Sequence, residues 1–190
     1  MRVTDAVAAA AGICLVYTPF LWCRFKREKP EDYGLSWKLS REGIFECLII
    51  TCFVLAVLTG IAVNWPGENL PRRVAAFTAA GIAVNGVAAA IIEEIFFRGW
   101  IQPLFKKKFG AMMSILFTSM IFALSHVFVA NAPFIFAVFF PGCIMGFLRE
   151  RHGNVSTSTI FHAVCNFWAI WFVPHFSTFE ELMKKTAGML

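Results

Sequence analysis

Residues 80–104 read AGIAVNGVAAAIIEEIFFRGWIQPL, a long apolar run that nevertheless contains two adjacent carboxylates and an arginine. About 20 apolar residues in a helix are enough to span the hydrocarbon core of a bilayer. Polar segments with turn residues separate this run from its neighbours. Five further runs are similarly apolar: 6–23, 44–63, 112–131, 134–149 and 155–173. The pattern predicts an all-α fold, a polytopic transmembrane bundle of about six helices.

The overall composition also indicates a membrane protein. Hydrophobic residues make up 58% of the 190 residues and charged residues only 15%, whereas soluble domains carry about 25% charged residues. With so few charges, the helices cannot all present a polar face to water. No stretch resembles a soluble linker, so we expect a single membrane domain over residues 1–190, with a catalytic core at about 80–173 and the lipid bilayer as its surroundings.

The 17 lysines and arginines lie in short clusters between the apolar runs. A nucleic-acid-binding protein places such residues along one face with aromatic side chains between them, so no nucleic-acid partner is expected. In membrane proteins, Lys and Arg accumulate in cytoplasmic loops. If the N-terminus lies outside, residues 24–41, 98–108 and 149–151 place twelve of them on the cytoplasmic side, against five outside. We therefore predict a multi-pass protein of the cell (inner or plasma) membrane with its N-terminus outside.

The charged residues within run 80–104 are costly in a bilayer. A charged side chain at the centre of a membrane costs about 2.5–3.5 kcal/mol on insertion scales. Glu94 and Arg98 are four residues apart on one helix face and can form an ion pair. Glu93 is rotated by about 100° from Glu94 and cannot share Arg98 equally well. One carboxylate is therefore left for proton transfer.

Two other apolar runs contain polar side chains. His126 lies near the end of run 112–131, four residues after Phe122. His162 and Asn166 in run 155–173 are also four residues apart and share a helix face. Asn85 lies two turns before Glu93 and is a further candidate for the same interior.

The expected depths of these residues agree only if the third helix is long. At 1.5 Å per residue, His162 and Asn166 lie about 12 and 18 Å above the cytoplasmic start of their helix, and His126 about 21 Å from a start at residue 112. Glu93 reaches a similar depth, about 16 Å, if its helix continues to residue 104. We therefore predict that this helix runs past Arg98 and that residues 106–108 mark the membrane interface.

This set of residues suggests a hydrolytic reaction. A carboxylate and an imidazole that share a water molecule can activate it as a nucleophile, and we assign this role to Glu93 and His126. A second imidazole and an amide can donate hydrogen bonds to the oxyanion that forms when a carbonyl is attacked, and we assign this role to His162 and Asn166. The predicted reaction is amide hydrolysis of a membrane-associated protein or peptide, without a cofactor.

Alternatives remain for each of these residues. Glu94 and Arg98 can form a purely structural ion pair, and a histidine in a membrane helix can make a packing hydrogen bond. Ser125 is expected to be a packing hydroxyl, because adjacent helix residues point apart. Glu93, His126 and His162 could instead bind zinc with a water at the open position. The polar cluster could also belong to a membrane scaffold or transporter without enzymatic activity.

Three motifs, in this order on apolar helices, resemble the CPBP family of CAAX proteases and bacteriocin-processing enzymes. They are E-E-x-x-x-R at 93–98, F-x-x-x-H at 122–126 and H-x-x-x-N at 162–166, and the resemblance covers about residues 85–170. It implies a glutamic-type intramembrane endopeptidase in which Glu93 activates water with His126, while His162 and Asn166 stabilise the oxyanion. In that scheme, Glu94 and Arg98 hold the architecture. The short chain favours a compact, bacterial-like member that trims a C-terminal hydrophobic tail or a small peptide precursor.

Overall fold

The computed structural model describes residues 3–64, 82–128 and 132–172, which are mostly helical. Two π-helical segments, Ile82–Ala88 and Phe97–Ile101, flank the third α-helix, and short 3-10 turns occupy Pro30–Tyr33 and His126–Phe128. No strand occurs in these three ranges, which confirms the predicted all-α fold. The α-helices are α1 (Val3–Lys26), α2 (Arg41–Asn64), α3 (Ala89–Phe96), α4 (Gln102–Ser125), α5 (Ala132–His152) and α6 (Ser156–Phe172).

The helices coincide with the six predicted apolar runs over the part of each run that is described. Two helical stretches, Arg41–Ile61 and Gly86–Ser125, are long and apolar enough to cross a membrane by length and composition. The outer face of α2 is strongly apolar, since Phe45 and Phe53 are 67% and 70% exposed. Large apolar side chains in such positions fit contact with lipid. The polar segment between runs 44–63 and 80–104 lies almost entirely outside the described residues.

The chain reverses direction at Gly110, inside the segment assigned to α4. Gly110 has φ 78° and ψ 173°, a conformation that interrupts the helix and that glycine adopts without steric cost. The ring centroids of Phe105 and Phe117 lie 6.0 Å apart, whereas 12 residues of straight helix would separate them by about 18 Å. The helical run 82–109 and the arm 111–125 therefore form a hairpin. This geometry confirms that the helix continues past Arg98 to the lysines at 106–108.

The π segment Phe97–Ile101 changes which backbone groups are available. The Gln102 N–H bonds to the Phe97 carbonyl, five residues back, so the Arg98 carbonyl does not receive that N–H. It accepts a hydrogen bond from Nε of Arg149 on α5 instead, at 3.1 Å. Pro103 follows directly and has no N–H of its own. The π segment thereby connects its helix to α5, because the free Arg98 carbonyl accepts a hydrogen bond from the Arg149 side chain.

One end of the helices collects the segments 24–41, 106–108 and 149–154, and we call it the basic end. Lys106 Nζ lies 2.5 Å from a Glu150 oxygen, and Lys107 Nζ lies 3.5 Å from a Glu28 oxygen. Arg151 Nε is 2.7 Å from a Glu46 oxygen. The clusters that were predicted to share one side of the membrane therefore lie at one end of the molecule.

Tyr33 anchors the loop of the basic end. Its side chain is buried, and its hydroxyl group donates to Glu28. The same hydroxyl oxygen accepts from Trp22 Nε1 at 3.3 Å and from Lys107 Nζ at 3.1 Å. Nη2 of Arg149 donates to the Tyr33 carbonyl at 2.8 Å. A single residue of the 3-10 turn thus connects α1, the lysine segment and α5.

Candidate active site

Glu94 and Arg98 form the buried ion pair that their spacing predicts. The closest oxygen and nitrogen are 3.1 Å apart, and both side chains are 0% exposed. Nη2 of Arg98 also donates to the Gly142 carbonyl at 3.0 Å, and the guanidinium lies 4.3 Å above the centre of the Phe122 ring. This placement suits a cation that is removed from water, because it combines an anion, a carbonyl and an aromatic face.

His162 lies between the two adjacent carboxylates. Its Nδ1 is 3.0 Å from Oε1 of Glu94, and its Nε2 is 3.6 Å from Oε2 of Glu93. An ionised carboxylate can only accept a hydrogen bond, so Nδ1 carries the hydrogen and donates it to Glu94. Glu94 therefore fixes both the orientation of the imidazole and the position of one of its hydrogens.

The closest Glu93 and His162 atoms are separated by 3.6 Å, which is longer than an ordinary hydrogen bond. A neutral imidazole that donates from Nδ1 presents a lone pair at Nε2, and a carboxylate oxygen facing that lone pair would be repelled. One proton placed on either atom removes this repulsion. Oε2 of Glu93 is buried and has no hydrogen-bond partner among the described residues, although the Glu93 side chain as a whole is 27% exposed. Oε2 of Glu93 is therefore able to accept a hydrogen bond from a further group.

His126 also contacts the Phe122 ring. The ring centroid of Phe122 is 4.9 Å from that of His126 and 5.5 Å from that of His162, both in edge-to-face geometry. Nδ1 of His126 is 2.8 Å from the Phe122 carbonyl, and because a carbonyl only accepts, Nδ1 must donate. In a neutral imidazole this leaves Nε2 as the acceptor nitrogen. Ser125 donates to the same carbonyl at 2.7 Å, which agrees with the packing role predicted for it.

Asn166 lies one turn after His162 on α6 and contacts the first π segment. Its Nδ2 donates to the Gly86 carbonyl at 3.2 Å. Gly86 permits this approach, because a Cβ atom there would lie 2.1 Å from the Phe167 ring. The amide thus holds α6 against the first π segment, Ile82–Ala88. The side chain of Asn85 lies outside the described residues.

Helix α6 begins close to the basic end with a cap. The Ser156 N–H donates to Oδ1 of Asn154 at 2.9 Å, as expected for a helix start. The side chains from Ser156 to Thr159 are all buried, and α6 therefore enters the interior at its first turn. From there, His162 points to the carboxylates of α3.

The structure brings the predicted residues together to different degrees. Glu93, Glu94, Arg98 and His162 are in direct contact, and His126 adjoins them through the Phe122 ring. The ion pair described for Glu93 is with His162, whereas a water molecule shared by Glu93 and His126 stays a prediction. Sequence reasoning missed Gly142, whose carbonyl receives Arg98. Its signal is the G-x-x-x-G pattern of Gly142 and Gly146, which is typical of closely packed membrane helices.

No three His, Cys, Asp or Glu side chains among the described residues are placed to hold one metal ion. The zinc alternative from the sequence stays a hypothesis. A chemical test with a chelator addresses it directly.

Two carboxylates, two imidazoles and an arginine lie together among apolar helices, and this combination of groups can transfer protons. Residues 75–168 match the family described as Type II CAAX prenyl endopeptidase Rce1-like, and this range contains every residue predicted for the site. The match confirms the CPBP (CAAX protease) resemblance predicted from the motifs. The family is one of membrane-embedded proteases. No curated protein and no solved structure matches the chain significantly.

Proposed function

We propose that this protein is a glutamic-type intramembrane endopeptidase that hydrolyses a peptide bond near the C-terminal or membrane-embedded part of its substrate. The single observation that carries the proposal is His162 in contact with both Glu93 and Glu94, where only Glu94 is neutralised by an arginine. Such a cluster keeps one carboxylate for chemistry and uses the other for orientation. The family match to CAAX endopeptidases supports the same reaction.

The proposed first step is the attack of water on the carbonyl carbon. Glu93, together with Nε2 of His126, removes a proton from the water as its oxygen forms the new bond. The negative charge that develops on the carbonyl oxygen receives hydrogen bonds from His162 and Asn166. In the second step, the carbon–nitrogen bond breaks, and the proton taken from the water is delivered to the leaving nitrogen.

Charge balance supports this division of roles. Glu94 and Arg98 cancel each other at 3.1 Å, with both side chains fully buried. If the proton between Glu93 and His162 is on Nε2, the four groups carry no net charge, which suits an apolar interior. His162 then has a hydrogen on each nitrogen, one for Glu94 and one for the oxyanion. Attack of water would return a proton to Glu93 without creating an uncompensated buried charge.

The surroundings of the site agree with a multi-pass arrangement in the cell (inner or plasma) membrane. We propose that all six helices cross or enter the bilayer, with the basic end on the cytoplasmic side and the N-terminus outside. The substrate would be a membrane-associated protein or peptide, since the apolar outer faces of the helices give lipid-embedded segments access.

The test is a cleavage assay with purified protein in lipid vesicles and candidate membrane peptides. Glu93→Ala and His126→Ala are expected to lower the cleavage rate by about 10²–10⁴-fold, the range for a lost general base, while circular dichroism still reports a folded helical protein. Glu46→Ala is the matched control, because this carboxylate lies at the basic end with Arg151, and it should leave the rate unchanged. Normal cleavage by either site variant would refute the assigned roles.

A chelator arm separates this mechanism from the zinc alternative. Cleavage is expected to survive complete removal of metal. Loss of activity in chelator, with recovery on addition of zinc, would support zinc instead.

A further inference from the structure

A row of polar side chains connects the candidate active site to the basic end. Glu94, Arg98, Gln102 and Lys106 follow one another at four-residue spacing along the helical run 82–109. This spacing keeps them near one helix face, and twelve residues cover about 18 Å. We call these four residues the polar row. Glu94 contacts His162 at one end, and Lys106 contacts Glu150 at the other.

Helix α5 faces the middle of the polar row with two backbone carbonyls, and its Glu150 side chain contacts the row at the basic end. Arg98 donates to the Gly142 carbonyl, and Gln102 donates to the Gly146 carbonyl, each at 3.0 Å. A Cβ atom on Gly142 would lie 3.4 Å from Arg98 Nη2, and one on Gly146 would lie 3.1 Å from Gln102 Oε1. The two glycines therefore place no side chain of their own over Arg98 and Gln102.

The polar row and its flank contain buried polar atoms without partners among the described residues. These atoms include Nε of Arg98, Oε1 of Gln102 and Oγ of Ser119, and all three side chains are 0% exposed. Ser119 adjoins the row, because the Cβ position of Gly142 lies 3.2 Å from Ser119 Cβ and 3.4 Å from Arg98 Nη2. Buried polar atoms in native proteins are almost always hydrogen-bonded, and internal water supplies the bond where protein does not.

We propose that the polar row is a hydrated passage that delivers water from the basic end to the Glu93 site. The proposal deepens the proposed function and rests on it, since water is the nucleophile of that reaction and the surrounding lipid holds almost none. Orphaned acceptors and donors at Gln102, Ser119 and Arg98 provide successive binding positions for water. The Gln102 amide, which also reaches Glu150 Oε1 at 3.3 Å, stands at the entrance.

The experiment measures water contact directly, by solid-state NMR transfer of magnetisation from water protons to side chains of the native protein in lipid bilayers. Gln102 is the sole glutamine of the sequence, so selective labelling gives one side-chain amide signal. The decisive comparison is between Ser119 and Ser114 on the same helical arm. Both are 0% exposed, but the Ser114 hydroxyl donates to the Ala111 carbonyl at 2.6 Å.

For Ser114 and Ser119, depth alone and a hydrated passage predict opposite orders of the transfer rate from water. Ser114 is about 6 Å from the hairpin turn at Gly110 and Ser119 about 14 Å, so simple depth makes Ser114 the wetter residue. The passage predicts faster transfer to Ser119 than to Ser114, together with direct transfer to Gln102. Slower transfer to Ser119 than to Ser114 overturns the proposal, even if cleavage by Glu93 stands.

A substitution at Gln102, the entrance of the passage, tests the same proposal through the cleavage rate. Gln102→Leu keeps the approximate volume and removes the polar atoms, and it is expected to abolish transfer to Ser119 and to lower kcat about fivefold, the rate equivalent of one hydrogen bond, with KM unchanged. Thr51→Val is the control, because this buried hydroxyl lies on α2 beside Cys47. Unchanged transfer to Ser119 in a folded Gln102→Leu protein would show that water does not pass this residue.

Discussion

Arg98 and Arg149 are both buried arginines of the same helical bundle, yet their surroundings differ. Every nitrogen of the Arg149 guanidinium donates a hydrogen bond: Nε to the Arg98 carbonyl, Nη1 to Glu150 and Nη2 to the Tyr33 carbonyl. The Arg98 guanidinium has one such bond, to Gly142, and an ion pair with Glu94. Its Nε has no partner among the described residues.

The difference in hydrogen bonding distinguishes an arginine that anchors the structure, Arg149, from an arginine of the candidate active site, Arg98. A fully hydrogen-bonded buried cation fixes the geometry of the segments around it, as Arg149 does for the loop at Tyr33. Incomplete hydrogen bonding is costly in a buried network, and in native proteins it marks places where another molecule is bound or reacts. The unpartnered atoms near Glu93, Glu94 and Arg98 fit this pattern.

The largest effect is expected from removing one charge of the site. Arg98→Met leaves Glu94 buried without its cation and should lower the free energy of unfolding by about 3–5 kcal/mol. The double variant Glu94→Gln with Arg98→Met removes both charges and should recover most of that stability. Its cleavage rate should stay at least about a hundredfold below normal, because His162 has lost the carboxylate that orients it. Thermal unfolding and the cleavage assay measure the two quantities.

Arg149→Met is the counterpart at the basic end. It leaves the carbonyls of Tyr33 and Arg98 without their donor, at about 1–3 kcal/mol for each buried group, while Glu150 keeps Lys106. The molecules that stay folded should cleave at a near-normal rate. Two outcomes would contradict the distinction between Arg98 in the site and Arg149 as an anchor. One is a double variant at positions 94 and 98 that regains activity, and the other is an Arg149→Met protein that is stable but inactive.

A smaller effect is expected from the hydroxyl group of Tyr33. Tyr33→Phe removes the acceptor of Trp22 and Lys107 and the donor to Glu28, and should cost about 1–2 kcal/mol of stability with cleavage unchanged. The chain contains two tyrosines, and the other provides the control. Tyr17 is 60% exposed on α1, so Tyr17→Phe should leave the melting temperature as it is. Equal shifts for the two variants would contradict the anchoring role.

The smallest effect concerns acid stability at the basic end. The hydrogen bond from Tyr33, helped by Lys107, lowers the pKa of Glu28 below its ordinary value of 4.5. A carboxyl with a lowered pKa stabilises the fold above its unfolded-state pKa and loses this contribution as the pH falls below 4.5. The melting temperature should therefore fall less between pH 5 and pH 3 in Glu28→Gln than in the native protein. If the melting temperatures of the two proteins fell in parallel between pH 5 and pH 3, Glu28 would make no contribution to acid stability.

The sequence predicts the features that depend on short-range geometry. The Glu94–Arg98 pair follows from four-residue spacing, and the continuation of the helix past Arg98 follows from the rise per residue. The helical segments follow from the apolar runs. The family follows from three motifs in order, because their residue types and spacing are specific.

Features that depend on how helices meet are not predictable in the same way. The contact of His162 with both carboxylates requires the rotation of α6 against α3, which spacing within one helix does not define. The anchoring by Tyr33 depends on contacts between residues far apart in the chain, whereas the reversal at Gly110 follows from the lysines between runs 80–104 and 112–131. The G-x-x-x-G pattern on α5 indicates close packing. It does not indicate that the side chains packed there are those of Arg98 and Gln102.

The π segment Phe97–Ile101 determines how the two halves of the helical run 82–109 are rotated relative to each other. An i to i+5 turn holds one residue more than an α-helical turn, and each residue corresponds to about 100° of rotation. If all of these residues formed an ordinary α-helix, the surplus residue would rotate Glu93 and Glu94 by about 100° relative to residues 102–109 and turn them away from α6. The π segment absorbs that surplus residue, and the carboxylates and the lysines therefore each face their observed neighbours.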